Sequence, residues 1–281
     1  MTSIDHVTDT AYWVASIRAQ ETNRRDAVFE DRLAELLATD RGHHIARSFP
    51  NASIVSWGVV MRTTAIDRLV DAAMHMDVDT VINLGAGLDT RPYRMELPPQ
   101  IRWIEIDFPH LIRAKESLLA AHLPKCRVER LGADLSDRMI RNSVLARCGA
   151  DSAKTLLIAE GVIPYFSNEA VRLLANDCAA NPAFRYWILD FDNAGARAMP
   201  KGWAKRLQAA PMLFQADDWF RVFDECQWSA GTIITTAEES ARLGRPYPLT
   251  FPLGLTMRAL PAKMSQKILS LSGAALLERK A

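Results

Sequence analysis

The stretch Val81–Arg94, V-I-N-L-G-A-G-L-D-T-R-P-Y-R, decides the fold of this chain. Apolar residues lead directly into Gly85-Ala86-Gly87, as they do where a buried parallel strand ends in a turn. Glycine has no Cβ and tolerates positive φ, so a glycine pair here lets the backbone approach a ligand closely. The stretch therefore predicts a strand that leads into a ligand-binding turn of an α/β sheet.

Acidic residues follow the glycine turn at the ends of further predicted strands. The strand Ile101–Ile106 ends in Asp107, twenty residues after Gly87. A carboxylate at that position can accept hydrogen bonds from both hydroxyls of a ribose. Asp134 and Glu160 stand at the ends of two later predicted strands. Together these residues predict a site for a nucleoside cofactor.

The third glycine of the dinucleotide-binding pattern is absent, because Thr90 occupies its position. A hydride cofactor has no evident use for the additional acids Asp134 and Glu160. S-adenosylmethionine does, since one acid can accept from the adenine amino group and the other can face the sulfonium or the amino group. The pattern therefore favours S-adenosylmethionine over a nicotinamide cofactor.

Short apolar strands alternate with helical patterns through the middle of the chain. The predicted strands are Thr80–Leu84, Ile101–Ile106, Cys126–Leu131, Thr155–Ala159 and Arg185–Phe191. The predicted helices are Phe108–His122, Arg138–Arg147 and Asn168–Asn181. This alternation predicts a parallel sheet that is covered on both faces. Gly85, Asp107, Asp134 and Glu160 all fall at carboxyl ends of strands, where such sheets bind ligands.

The two flanks of this core have different patterns. Residues 8–76 predict a helical preface that partly covers the cofactor, with breaks at Gly42 and at Pro50-Asn51. After Phe191 the sequence predicts one more helix and two terminal strands: Asp218–Trp228, Gly231–Thr235 and Ser272–Glu278. Asn193–Pro211 and Pro246–Pro261 mix Met and aromatic residues with Gly and Pro, which predicts an adaptable apolar lid over the acceptor. We expect Trp203 and Phe214 to face the acceptor as part of this lid.

With these residues in hand, the chain resembles the leucine carboxyl methyltransferase family, in the bacterial branch often tied to polyketide tailoring. The markers, in chain order, are Thr10–Ala15 with Arg18 and Glu21, Arg62-Thr63, Ile66-Asp67, Leu84–Arg91, Glu105–Pro109, Ala133–Leu135 and Glu160–Tyr165. The resemblance implies a Rossmann-like class I methyltransferase sheet, mostly parallel with an antiparallel last strand. It implies a single domain over residues 1–281: a preface (1–78), a cofactor-binding core (79–192), and lid segments with terminal strands (193–281).

The resemblance also implies roles for individual residues. At the methionine moiety of the cofactor, Arg62 would hold the carboxylate, Glu160 would face the amino group, and Gly85 with Ala86 and Gly87 would lie underneath. At the nucleoside, Asp107 would bind the ribose. Asp134 with Leu135 would surround the adenine. The chain departs from the family pattern at Asp31-Arg32, where relatives continue Asp-Pro. The basic residue that some relatives place upstream is therefore either Arg24 or Arg25.

Structural roles compete with these interpretations. Asp107 and Asp134 could also cap the helices that follow them. Glu105, within its strand, is expected to pair with a basic residue. Tyr165 follows the fourth core strand, where it could position the substrate or could pack with its hydroxyl satisfied locally.

The composition excludes several classes of partner. The formal net charge is +1, which gives no electrostatic case for nucleic acid or an anionic membrane. No run of about 18 apolar residues and no secretory signal is visible. The four cysteines are widely spaced without a C-x-x-C pair, so we expect reduced thiols, no metal site and a cytoplasmic protein.

The six histidines have no acid at a telling distance, so the sequence offers no general base. A carboxylate, with a pKa near ~4, is already ionised at neutral pH, whereas a phenol, with a pKa of about 10, is not. We therefore expect O-methylation of the carboxylate of a small polyketide-like or other secondary-metabolite acid. The alternatives are a phenol or alcohol, or the C-terminal carboxylate of a protein or peptide. A binding protein without turnover and a nicotinamide-dependent oxidoreductase are the other classes, and the oligomeric state stays open.

Overall fold

The structure is a computed structural model that describes residues 4–49, 52–193, 207–248 and 270–280. Its helices are α1 Asp9–Thr22, α2 Ala34–Ser48, α3 Ala52–Met74, α4 Arg91–Arg94, α5 Pro109–Leu119, α6 Arg138–Gly149, α7 Asn168–Ala179, α8 Trp219–Glu225 and α9 Thr236–Leu243, with a 3-10 turn at Ile163–Tyr165. Its strands are β1 Thr80–Leu84, β2 Arg102–Asp107, β3 Arg127–Gly132, β4 Thr155–Ala159, β5 Phe184–Asp192, β6 Trp228–Thr235 and β7 Ser272–Arg279.

The seven strands form one sheet in the order β3-β2-β1-β4-β5-β7-β6. Strands β1 to β5 pair in parallel, and β7 runs antiparallel to both β5 and β6. The predicted mostly parallel sheet with an antiparallel end is therefore confirmed. The strand order reverses between β1 and β4, so a crevice opens where these two strands end.

Both faces of the sheet are covered, as their apolar strands require. On one face Leu157 and Trp187 pack with residues of α7 and α8 in one hydrophobic cluster. On the other face Ile66 and Val70 of α3 pack against Val81 of β1. All five side chains are fully buried. Helix α3 therefore shares its core with the sheet, and among the strands it packs mainly against β5 and β7.

The break predicted at Gly42 is wrong, because Gly42 lies inside α2. The helix kinks instead at Thr39, whose backbone has a φ of 52° and a ψ of 179°. A Cβ on Gly42 would lie 2.2 Å from the carbonyl oxygen of Tyr12. Glycine is present because α1 and α2 approach closely there, a requirement that the sequence pattern does not distinguish from a helix break.

The helix predicted at Asp218–Trp228 is shorter in the structure. Asp218 caps α8 by accepting from the backbone N–H of Arg221, and the chain leaves the helix through Gln227, at a φ of 71°. Trp228 begins β6 and is fully buried in the sheet core. A buried aromatic residue fits either periodicity, so helical spacing alone placed Trp228 wrongly.

Helix α9 was missed by the sequence interpretation, although its start carries a clear signal. Thr235 and Glu238 form a reciprocal capping box at the N-terminus, and Gly244 ends the helix in the left-handed conformation. The S/T-x-x-E spacing is a known helix start. The missed helix packs against α3.

Candidate functional site

A cavity of about 470 Å³ opens at the carboxyl ends of the parallel strands, within the range of small-molecule sites. Residues of α1 and α3 line its other side. Every residue that the sequence analysis placed in the site lines this cavity, namely Arg62, Gly85, Ala86, Gly87, Asp107, Asp134, Leu135, Glu160 and Tyr165. The sheet brings together residues that are up to about a hundred positions apart.

The glycine turn adopts the backbone conformation that its sequence predicts. Gly85 and Gly87 have φ angles of +63° and +48°. A Cβ on Gly85 would lie 2.4 Å from Cγ2 of Val162, a branched side chain on the opposite side of the crevice. The turn therefore leaves backbone rather than side chain facing the cavity.

Asp107 is bonded to this turn as well as exposed to the cavity. Its Oδ2 accepts from the backbone N–H of Gly87 at 2.7 Å, and its Oδ1 accepts from the N–H of Phe108 at 2.7 Å. The residue before α5 is Phe108, so Asp107 is not the helix cap that was considered. Burial raises the pKa of Asp107 despite these hydrogen bonds. The carboxylate fixes the glycine turn and keeps lone pairs for a ligand.

Asp134 and Leu135 form the far end of the cavity. Oδ1 of Asp134 accepts from the backbone N–H and the hydroxyl of Ser136, at 2.9 and 2.7 Å. The cap of α6 is Asp137, whose side chain accepts from the N–H groups of Met139 and Ile140. The capping role considered for Asp134 therefore belongs to Asp137. Leu135 is buried beside it and offers an apolar surface to a ring.

At the opposite end, Arg62 lies between two carboxylates. Its Nε donates to Glu160 at 3.0 Å, and its Nη1 donates to Asp190 at 3.2 Å. Asp190 also accepts from the N–H of Gly161 at 2.7 Å. Sequence reasoning missed Asp190, although it stands near the end of β5 as the other acids stand at their strand ends.

Arg91 is the centre of this buried charge cluster and has an exposed fraction of 2%. Its guanidinium donates to Asp67 at 2.7 Å, to Glu160 at 2.8 Å and to Asp89 at 3.0 Å. Arg94 donates through both terminal nitrogens to Asp67, at 2.6 and 2.7 Å. A cationic ligand was the expected partner of Glu160, but in the structure Arg62 and Arg91 already pair with this carboxylate.

These contacts shift the acids of the cluster in different directions. Burial opposes ionisation of Glu160, but Arg91 and Arg62 outweigh it and lower its pKa. Asp89 follows the same pattern: burial is the largest single effect, but Arg91, Lys115 and Arg94 together outweigh it and hold the pKa well below the ordinary range. For Asp190, burial is the larger effect and raises the pKa.

The chain matches the family model described as leucine carboxyl methyltransferase over residues 11–179. A protein of Frankia alni named as an S-adenosyl-L-methionine-dependent methyltransferase is 32% identical over 84% of this chain and 87% of its own length. A Streptomyces avermitilis protein of the same description is 35% identical over 62% of this chain and 65% of its own length, just under two thirds. The chain belongs to the leucine carboxyl methyltransferase family. It is an S-adenosylmethionine-dependent methyltransferase.

Solved structures show the same fold at low sequence identity. A DUF574 family protein from Streptomyces avermitilis superposes with a TM-score of 0.58 at 16% identity, covering 95% of this chain and 97% of that one. A methyltransferase structure from Thermobifida fusca gives a TM-score of 0.55 at 16% identity, with 96% and 94% covered. The class I methyltransferase fold that the family resemblance implied is therefore confirmed.

In this methyltransferase Thr90, which stands where the dinucleotide-binding pattern has its third glycine, has a structural role. Thr90 is fully buried, and its hydroxyl donates to Asp31 at 2.6 Å. Arg18 donates to the same carboxylate at 2.8 Å and to the carbonyl of Leu88 at 2.6 Å. The buried ion pair of Arg18 and Asp31 thus links α1 to the residues that follow the glycine turn, through Leu88 and Thr90.

The basic residue expected near the start of the chain has two candidates, Arg24 and Arg25. Neither Arg24 nor Arg25 lines the cavity among the described residues, and Arg18 does. Arg24 is about half exposed and pairs with Glu21 and Asp26.

The remaining wall of the cavity is apolar and surrounds Tyr165. Val55 and Val59 of α3 contribute from one side, and Leu207 and Met212 from the other. Burial raises the pKa of the Tyr165 hydroxyl, which is hydrogen-bonded to Thr10.

The predicted lid is described only in part. Of Asn193–Pro211 the structure describes Asn193 and 207–211, and of Pro246–Pro261 it describes 246–248. Leu207, Ala209, Ala210 and Pro211 line the cavity, while Trp203 lies outside the described residues. Phe214 is instead a core residue that packs edge-on against Trp219 at 4.7 Å. The expectation that Phe214 faces the acceptor is therefore wrong.

The predicted partner of Glu105 is confirmed. Its two carboxylate oxygens accept from Lys115 and from Arg130, each at 2.8 Å. Lys115 and Glu105 are both fully buried. This ion pair belongs to the support of β2 and does not line the cavity.

The described residues contain neither a candidate metal site nor a candidate membrane-spanning helix. Within residues 4–49, 52–193, 207–248 and 270–280, no group of three or more His, Cys, Asp or Glu side chains could hold a metal ion. In the same part of the chain, no helix is long and apolar enough to cross a membrane.

Proposed function

We propose that this enzyme transfers the methyl group of S-adenosylmethionine to the carboxylate of a small apolar acid and forms a methyl ester. The observation that carries the proposal is the absence of a base at the apolar end of the cavity. Every His, Asp and Glu of the chain lies among the described residues, and no His lines the cavity. The acids that line it are Asp89, Asp107, Asp134 and Glu160, which are bonded to arginines, to the glycine turn or to Ser136.

A carboxylate acceptor needs no base, which matches this lining. At neutral pH it is ionised, since its ordinary pKa is near ~4. The sulfonium is a good leaving group, so the protein mainly has to align oxygen, methyl carbon and sulfur and to exclude water. A phenol or alcohol would need its proton removed, and Tyr165, whose pKa is raised by burial, is a poor candidate for that task.

The cofactor is proposed to lie along the strand ends in the order that the family implies. Asp134 and Leu135 would face the adenine and Asp107 the ribose, with the methionine moiety over Gly85 and its charged groups near Arg62 and Glu160. S-adenosylmethionine carries one net positive charge. The cluster at this end holds three arginines and four carboxylates, Arg62, Arg91, Arg94, Asp67, Asp89, Glu160 and Asp190, so its formal charge is one unit negative. That charge fits the ligand.

The acceptor is proposed to bind beyond Gly85, beside Tyr165. The wall there consists of Val55, Val59, Leu207 and Met212, which suits the apolar body of a polyketide-like or other secondary-metabolite acid. Tyr165 would position this acceptor. We also propose that residues 1–281 form one methyltransferase domain and that it works in the cytoplasm, which agrees with four buried, unpaired cysteines.

The test measures methyl transfer from S-adenosylmethionine with a labelled methyl group to pairs of compounds. The two members of a pair share a carbon skeleton, and one carries a carboxylic acid where the other carries an alcohol or phenol. We expect label in the acids alone, in products that release methanol in mild alkali, as esters do and ethers do not. The rate should be nearly flat from pH 6 to 8, because the acceptor is ionised throughout. Each His→Ala variant should keep kcat within about tenfold, since a general base contributes about 10²–10⁴-fold.

Alkali-stable products, or a rate that rises tenfold per pH unit, would replace the carboxylate by a hydroxyl acceptor. A peptide with a free C-terminal carboxylate and its C-terminal amide form a further pair in the screen. Transfer to that peptide in preference to the small acids would move the acceptor from small molecules to a protein or peptide end.

A further inference from the structure

Thr63, in α3, carries a buried hydroxyl that has no hydrogen-bond partner among the described residues. Its side chain lines the cavity, yet the exposed fraction of the residue is 1%. Buried polar groups in folded proteins are nearly always hydrogen-bonded, and an exception calls for a ligand or another explanation. A ligand in this cavity would supply the missing partner.

The next residue shows what a helical threonine does when it has only a structural role. The hydroxyl of Thr64 bonds back to the carbonyls of Val60 and Met61, at 3.1 and 3.0 Å. This is the usual contact of a threonine within a helix. Thr63 has the same option in the same helix and does not use it, so its hydroxyl is left without a partner in a residue that lines the cavity.

The position of Thr63 along α3 indicates which part of a ligand it meets. Val59, Arg62 and Thr63 share one face of the helix, because residues three and four apart are neighbours. All three line the cavity. Val59 belongs to the apolar wall, whereas Asp67, one turn beyond Thr63, anchors Arg91 and Arg94. Thr63 therefore lies between the apolar wall and the charged cluster.

Arg94 provides a second observation at the same place. Both of its terminal nitrogens donate to Asp67, but its Nε is buried and has no partner among the described residues. Arg94 also lines the cavity. Thr63 and Arg94 are thus two residues of the cavity wall that each carry a buried donor without an acceptor among the described residues, which calls for an acceptor supplied by a ligand.

We propose that the hydroxyl of Thr63 donates a hydrogen bond to the carboxylate of the methionine moiety of S-adenosylmethionine, next to Arg62. This inference rests on the proposed placement of the cofactor. The carboxylate is the one anionic group of that ligand, and the guanidinium of Arg62 comes from the neighbouring residue. Thr63 would then select a ligand with an intact amino-acid end.

The experiment compares two ligands that differ only in this group, S-adenosylmethionine and its decarboxylated form, by calorimetric binding to wild type and variants. Thr63→Val keeps the shape of the side chain and removes the hydroxyl. We expect it to weaken binding of S-adenosylmethionine about 10- to 100-fold, the range for a hydrogen bond to a charged group. Binding of decarboxylated S-adenosylmethionine should be unchanged. Thr63→Ser should keep most of the affinity.

Thermal unfolding of the ligand-free protein gives a second readout. Because a buried hydroxyl without a partner destabilises a folded protein, Thr63→Val should unfold at the same or a higher temperature than wild type. A threonine with a structural hydrogen bond would show the opposite. Thr64→Val is the matched control, since it removes a satisfied hydroxyl from the adjacent position, and it should leave both affinities unchanged.

Three results would overturn the role of Thr63: an unchanged affinity of Thr63→Val for S-adenosylmethionine, an equal loss for both ligands, or a loss only in the KM of the acceptor. If Thr63→Val does not fold, Thr63→Ala is measured in the same way. Failure of the cofactor placement itself would be seen separately in the wild type. A wild-type enzyme that binds the two ligands equally well has no carboxylate contact at this end.

Discussion

The two ends of the cavity hold their acids by different means. At the nucleoside end, Asp107 bonds to backbone N–H groups and Asp134 to a neighbouring serine. At the methionine end, Glu160 and Asp190 bond to the side chain of Arg62, and Glu160 also bonds to Arg91. The nucleoside end is held by bonds to backbone N–H groups and to one serine, whereas the methionine end joins side chains of α3, α4, β5 and the residue that follows β4.

This difference indicates at which end of the cavity a substitution can change ligand affinity without changing the stability of the fold. A carboxylate that bonds only to N–H and hydroxyl groups can be changed without leaving a buried charge unpaired. A carboxylate that shares a buried guanidinium with two others cannot, because the remaining charges lose their partner in a region of low dielectric. Substitutions at the methionine end should therefore affect folding, and those at the nucleoside end mainly affinity.

The largest effect is expected for Arg91→Ala, which leaves Asp67, Asp89 and Glu160 without a shared cation. Breaking a buried ion pair destabilises a protein by about 3–5 kcal/mol, and we expect the free energy of unfolding in urea to fall by that amount at pH 7. The stabilisation is present at neutral pH and lost on acidification, because Arg91 lowers the pKa of Asp89 and Glu160 in the folded state.

Arg32→Ala is the control, since Arg32 pairs with Glu30 on the surface with an exposed side-chain fraction of 84%. Its free energy of unfolding should equal that of the wild type. Equal stability of Arg91→Ala and Arg32→Ala would remove the distinction between the two ends of the cavity.

The next effect concerns the glycine turn. Gly85→Ala adds a Cβ within 2.4 Å of Val162, at a positive φ. We expect its affinity for S-adenosylmethionine to fall more than about a hundredfold, or roughly 3 kcal/mol. Gly244→Ala is a matched control, because Gly244 also has a positive φ, +61°, but a Cβ there meets nothing within 4 Å. It should lose some stability from the strained backbone, about 1 kcal/mol, and no affinity. Similar affinities of the two variants would show that the turn does not contact the cofactor.

A smaller effect is expected at Asp107. Asp107→Asn should weaken binding of S-adenosylhomocysteine by about 1.5–3 kcal/mol, the contribution of a hydrogen bond to a charged group. Burial raises the pKa of Asp107, so the folded protein takes up its proton at a higher pH than an exposed aspartate would. The affinity of the wild type should therefore fall as the pH is lowered through that raised value, whereas Asp107→Asn should show no such decline. Parallel pH profiles of the two proteins, by calorimetry, would contradict a direct contact.

The smallest effect is expected at Asp134, which is partly exposed and bonded to Ser136. Asp134→Asn should reduce the affinity for S-adenosylmethionine by about 0.5–1.5 kcal/mol, as for an ordinary net hydrogen bond. Titration with 5′-methylthioadenosine, which lacks the amino-acid end, tests the nucleoside part of the cofactor alone. An equal loss for both ligands is the expected result, and a loss for S-adenosylmethionine alone would place Asp134 away from the adenine.

Much of the fold followed from local patterns. Thr80–Leu84 and Thr155–Ala159 are strands with the predicted bounds, because continuous apolar runs between polar turns have few alternatives. The glycine turn could also be predicted from the sequence, because its positive φ angles depend on its own residues. Gly42 and Trp228 were placed wrongly for the opposite reason, because a close helix contact and a sheet core are set by partners distant in sequence.

The sequence by itself determined the sheet, the glycine turn and the acids at the strand ends, because strand periodicity and glycine conformation are encoded within a few residues. Only the tertiary structure decided how the charges are paired. Arg62 meets Asp190 across 128 positions, and Arg91 meets Glu160 across 69. Such pairs form only once the strands have brought their ends together, and burial then makes each arginine necessary to its carboxylates. The hydroxyl of Thr63, which has no partner in the part of the chain that the structure describes, became visible for the same reason, since an unsatisfied group is recognised from neighbours that are distant in sequence.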